Sequence, residues 1–113
     1  MASASDFPVT LPCPPLRGIM TGVNRSMPEA AETDNVLWPQ ERVGLDDMIA
    51  SFTINGAYAN FLENDTGSLE VGKLADMVVL DKNLFAIPPA DIGHAKVLLT
   101  LFEGNEVYRD GSM

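Results

Sequence analysis

The run from Gly67 to Asp81, GSLEVGKLADMVVLD, constrains the fold of this chain more than any other segment. Thr66-Gly67 reads as a turn that leads into a short apolar–polar alternation. Gly72-Lys73 reads as a second turn, and a valine-rich apolar run follows over residues 75–80. Short runs of this kind bounded by glycine are strands. A strand that is apolar along nearly its whole length is expected to be covered on both faces.

The segment carries a further signal. GSLEVGKLADMVVLD resembles the C-terminal signature of metal-dependent amidohydrolases, in the group that acts on exocyclic C–N bonds. In that group the pattern G-S-[IL]-E-x-G-K-x-A-D-[LM]-V-V-L-D marks the chain leaving a catalytic barrel and entering a small β-sandwich. The likeness continues through Asn83-Leu84-Phe85-Ala86-Ile87-Pro88-Pro89-Ala90-Asp91-Ile92, through Lys96-Val97-Leu98-Leu99-Thr100 and through residues 104–108. Upstream, residues 45–58 resemble the family's last barrel helix, and Ser5-Asp6-Phe7-Pro8-Val9 resembles the end of its eighth barrel strand. The resemblance covers almost the whole chain but only the last part of the family's length.

A chain of 113 residues suffices for one domain with one modest core. It is too short for a complete (β/α)₈ barrel, which needs about 250 residues. We therefore expect a single domain, residues 1–113, in three zones. Residues 1–43 hold six of the eight prolines and few periodic apolar positions, so they read as a long arm. Within it Leu16, Ile19, Met20 and Val23 can form one helical face, weakened by Gly18 and Gly22. By the resemblance, this arm is the loop that follows the eighth barrel strand at the substrate face. Residues 44–62 read as one helix, with Leu45, Met48, Ile49, Phe52 and Ala59 on one stripe and Asp46 and Asp47 in its first turn. Residues 63–113 read as β-rich, with strands at 68–71, 76–80, 96–102 and 106–108 and a tight hairpin turn at Gly104-Asn105. Pro88-Pro89 opens a short turn or helix at 90–92. The fold class expected is α+β: one main helix packed on a small, mostly antiparallel sheet, with a long irregular N-terminal arm.

The net charge of −9, from 16 acids and 7 bases, repels phosphate backbones and anionic bilayers, so neither nucleic acid nor a membrane is an expected partner. No apolar run approaches the ~20 residues of a membrane span, and Met1-Ala2-Ser3-Ala4-Ser5 lacks the basic start and apolar core of a secretory leader. The single cysteine, Cys13, permits no internal disulfide, so a reducing, cytoplasmic setting is the expected one. No basic residue stands beside Cys13 in sequence to activate it.

The candidate catalytic and metal-binding residue is Asp6, by resemblance. The matching aspartate of the family binds zinc or a related divalent metal and takes a proton from the attacking water. A catalytic zinc commonly takes three protein ligands. The family draws its other ligands from a His-x-His on the first strand, a lysine or acid midway, and histidines on the fifth and sixth strands, and none of those segments occurs in this sequence. His94, the one histidine, matches no ligand position and reads as a surface or edge residue. The carboxylates Glu29, Glu32 and Asp34 read as a solvated loop. Trp38 and Tyr58 can touch a ligand, but as large aromatics they read first as core or interface anchors. Gly72-Lys73 can bind an anion, but reads first as a structural turn.

Two functions follow from these residues. The first is an amidohydrolase-like C-terminal fragment, not catalytic alone and without a cofactor of its own, that acts as an oligomeric or binding module. The second is a part of a metal-dependent hydrolase of non-peptide C–N bonds whose remaining ligands lie in a missing N-terminal portion. Unpaired strand edges attract partners, so a homo-oligomer or a complementary N-terminal portion is the expected partner.

Overall fold

A computed structural model describes residues 1–6, 14–26 and 36–112. In order along the chain come helix α1 (Pro15–Asn24), a 3₁₀ turn (Pro39–Glu41), α2 (Leu45–Phe52), α3 (Ile54–Ala59), strand β1 (Met77–Leu80), 3₁₀ turns at Leu84–Ala86 and Pro89–His94, β2 (Val97–Phe102) and β3 (Asn105–Arg109). The strands form an antiparallel sheet of order β1-β2-β3. The α+β class and the antiparallel sheet therefore stand as expected.

The arm contains the element around which the core forms. Pro15 starts α1 where its missing N–H costs nothing, and Ile19 and Met20 on its inner face are buried. Together with Met48, Leu84, Ile92 and Ala95 they make the core, with Leu16, Val23, Val43, Phe52 and Leu80 packed around it. This arrangement corrects the expected packing. The helix at 45 does not lie on the sheet as its main support. It packs against α1, and α1 packs against the 3₁₀ turn Pro89–His94, while the sheet is held chiefly by its own ladders.

The expected single helix over 44–62 is two. Thr53 leaves helical geometry (φ −126°, ψ −100°) and divides α2 from α3. Its Oγ1 donates to the carbonyl of Ile49 at 2.8 Å, a back-bond of the kind that bends helices. The break shifts the phase of the apolar stripe, so Ala57 is buried and Ala59 exposed. The expected strand at 68–71 is a turn. Lys73 N–H donates to Glu70 O, Ser68 Oγ donates to Glu70 Oε1, and Lys73 Nζ donates to Ser68 Oγ. These local bonds satisfy the segment without a ladder.

Turns at Gly67 and Gly72 are present, with φ of 91° and 98°. The β2–β3 turn is one residue earlier than expected. Its central pair is Glu103-Gly104, both with positive φ, and Phe102 pairs with Asn105 across it. Among the described residues the apolar run of β1 is not covered on both faces, since Val78 is 56% exposed and Val79 39%.

Candidate functional site

Asp6 lies in the first described segment, exposed, with its backbone in the left-handed region at φ 55°. The segment is held against the α2–α3 junction: Ser3 N–H donates to Ser51 O at 2.9 Å and Asn55 Nδ2 donates to Met1 O at 2.8 Å. Ser51 is fully buried, its hydroxyl returned to the carbonyl of Met48. Asp6 therefore sits three residues from an anchored point of the helical layer. Phe7–Val9, the rest of the segment that resembles a strand end, lies outside the described residues, as do Cys13, Glu29, Glu32 and Asp34.

No group of three or more His, Cys, Asp or Glu side chains converges among the described residues. His94 is exposed at the end of the Pro89–His94 turn, as an edge residue would be. Asp46 and Asp47 occupy the first turn of α2, as expected for carboxylates that favour the positive end of a helix. Lys73 is committed to Ser68 at 2.6 Å and to Glu70 at 3.3 Å, so the Gly72-Lys73 turn is structural. The Ser68 hydroxyl, and after it Lys73, holds the Glu70 carboxyl below its ordinary range.

Two aromatics expected as anchors are not buried: Trp38 is 60% exposed and Tyr58 69%. Trp38 instead lines an open depression of about 700 Å³ at the end of α1, with Arg25, Glu41, Gly22, Val43 and Met48 among the other lining residues. The sequence offered no signal for Arg25. Its role depends on the left-handed residue that ends α1, which only the three-dimensional path reveals. Glu63 was also unanticipated: its Oε2 is buried and has no hydrogen-bond partner among the described residues.

The comparisons decide the family. The amidohydrolase family profile matches residues 1–108. The chain belongs to the amidohydrolase family. It is 38% identical over 108 residues to Protein LONG AFTER FAR-RED 3 of Arabidopsis thaliana, a match covering 96% of this chain and 18% of that protein. It is 34% identical over 67 residues to imidazolonepropionase of Bdellovibrio bacteriovorus, covering 59% of this chain and 16% of the relative. It is 34% identical over 68 residues to N-substituted formamide deformylase of Arthrobacter pascens, covering 60% and 12%. Among solved structures it resembles an amidohydrolase from Thermotoga maritima MSB8, with a TM-score of 0.53 and 31% identity over 63% of this chain and 17% of that one. The chain thus spans less than a fifth of the length of these relatives. No helix of the described residues is long and apolar enough to cross a membrane.

Proposed function

We propose that this chain is the closing portion of a metal-dependent hydrolase of non-peptide C–N bonds and is not catalytic by itself. In this reading it contributes the Asp6 carboxylate and an assembly surface, and the remaining ligands come from polypeptide outside it. The observation that carries the reading is the family match along 1–108, which corresponds to only 18% of the length of Protein LONG AFTER FAR-RED 3. The names of two relatives, an imidazolonepropionase and a formamide deformylase, support C–N chemistry as the reaction class. Asp6 also suits the role: it is exposed, and its segment is anchored through Ser3 and Met1.

The test is hydrolysis of small amides with added zinc, by the chain alone and by the chain co-expressed with the amino-terminal portion of a family member. Turnover is expected only in the combination, and Asp6→Ala should abolish it. Turnover by the chain alone contradicts the reading.

A second reading, a free-standing oligomeric module, is favoured by the apolar surface of the β-rich zone. Val78, Phe102, Val107 and Tyr108 are each about half exposed or more, and clustered exposed apolar side chains mark interaction sites.

A further inference from the structure

We infer that the depression between the end of α1 and residues 36–43 is a binding site for a small aromatic monocarboxylate. This inference stands apart from the hydrolase reading and needs neither Asp6 nor a metal.

The walls are preformed. Residues 36–43 are strapped to the end of the helix by Leu37 N–H to Arg25 O at 2.8 Å, Val43 N–H to Gly22 O at 3.3 Å and Arg42 Nε to Asn24 O at 3.3 Å. Arg25 N–H returns to Thr21 O at 2.7 Å. Carbonyls at a helix C-terminus would otherwise present unsatisfied negative dipoles to an anion, and these donors occupy those of Thr21, Gly22 and Asn24. Gly22, Val43 and the buried Met48 make part of the lining apolar.

Two side chains on this frame point to the ligand. Arg25 is half-buried, and its Nε is fixed on Leu37 O at 3.1 Å. Its guanidinium forms no ion pair among the described residues. A planar guanidinium held on one edge presents its remaining N–H groups as a fork matched to a carboxylate. Trp38, 60% exposed, lines the same depression. Both residues hold left-handed backbone, with φ of 57° and 47°. Such conformations are costly for residues other than glycine and persist where the surroundings enforce them, often at binding sites. An indole face with a neighbouring cation suits an aromatic ring bearing one negative charge. Glu41 in the same lining disfavours a second negative charge.

Trp38 is the only tryptophan, so its fluorescence reports the site directly. Benzoate, benzamide and cyclohexanecarboxylate should be titrated into the full chain. A saturable change is expected with benzoate, at least about fivefold weaker with benzamide and with cyclohexanecarboxylate. Arg25→Gln should weaken benzoate about tenfold and erase its advantage over benzamide, while Arg25→Lys should keep part of it. Circular dichroism checks that each variant is folded; if Arg25→Gln is not, Arg25→Lys against wild type carries the comparison through its altered benzoate-to-benzamide ratio. No saturable response to benzoate, equal binding of benzoate and benzamide, or an unchanged midpoint in both variants would overturn the inference.

Discussion

Gly67 has φ 91°, and a Cβ placed there would lie 2.7 Å from Ala57 Cβ and 2.9 Å from the Ile54 backbone. The turn thus seats directly on α3, and only glycine tolerates both the backbone angle and the approach. Gly67→Ala should destabilise the chain by about 2–3 kcal/mol, read as a lower urea midpoint with an unchanged slope. Gly72, with φ 98° but open space around it, tests the separation of the two causes. Gly72→Ala should cost only the conformational part, about 1 kcal/mol. Asp76 ties the same turn to the hairpin: Thr66 Oγ1 donates to Oδ2 and Glu103 N–H donates to Oδ1, both at 2.8 Å. The Glu103 bond first, and then that of Thr66, holds the Asp76 carboxyl below its ordinary value. A group with a lowered folded value contributes fully above its unfolded value, near pH 4, and loses that contribution as pH falls through the folded value. Asp76→Asn should therefore be less stable at neutral pH and show a shallower acid-side loss in urea melts. Glu70, Glu106 and Asp110 are lowered in the same direction and keep the remaining slope.

At the scale of the element, the stripe at 45–59 shows what periodicity can and cannot reveal. The positions Leu45, Met48, Ile49 and Phe52 all face the core, because they lie within one unbroken helix. Ala59 does not, because Thr53 interrupts the helix and restarts its phase. A threonine is an ordinary helix residue in a propensity scale, and its back-bond to Ile49 is a geometric event that spacing does not encode. A paired prediction follows: Ala57→Asp should destabilise markedly, whereas Ala59→Asp should change stability by no more than about 0.5 kcal/mol. Met48→Ala should cost about 2–4 kcal/mol through the cavity it leaves; chemical denaturation measures all three. The helix within the arm, both glycine turns and strands β1 to β3 were legible for the same reason, since each has a local pattern. The turn at 68–71 was not, because its alternation suits a strand that this chain does not pair, and the Ser68, Glu70 and Lys73 side chains close it locally instead.

For the whole molecule, the sequence signature carried the family, and the profile match over 1–108 bears it out. Of the candidate sites, Asp6 was legible by resemblance and Trp38 as an aromatic able to touch a ligand, whereas Arg25 acquires its setting only from the strap across the end of α1. The sheet leaves apolar surface open. Val78, Phe102, Val107 and Tyr108 remain open to solvent, and β1 and β3 each have one edge unpaired among the described residues. Such edges and faces recruit partners. Sedimentation of the chain alone should show mass rising with concentration, and Val78→Lys with Phe102→Lys should suppress that rise. A stable monomer at all concentrations would leave the exposed sheet unexplained by association.

The most direct test of the central claim is the zinc content of the purified chain after saturation and exhaustive dialysis. The account predicts no stoichiometric zinc on the chain alone. One tightly held zinc per chain, lost in Asp6→Ala, would contradict it.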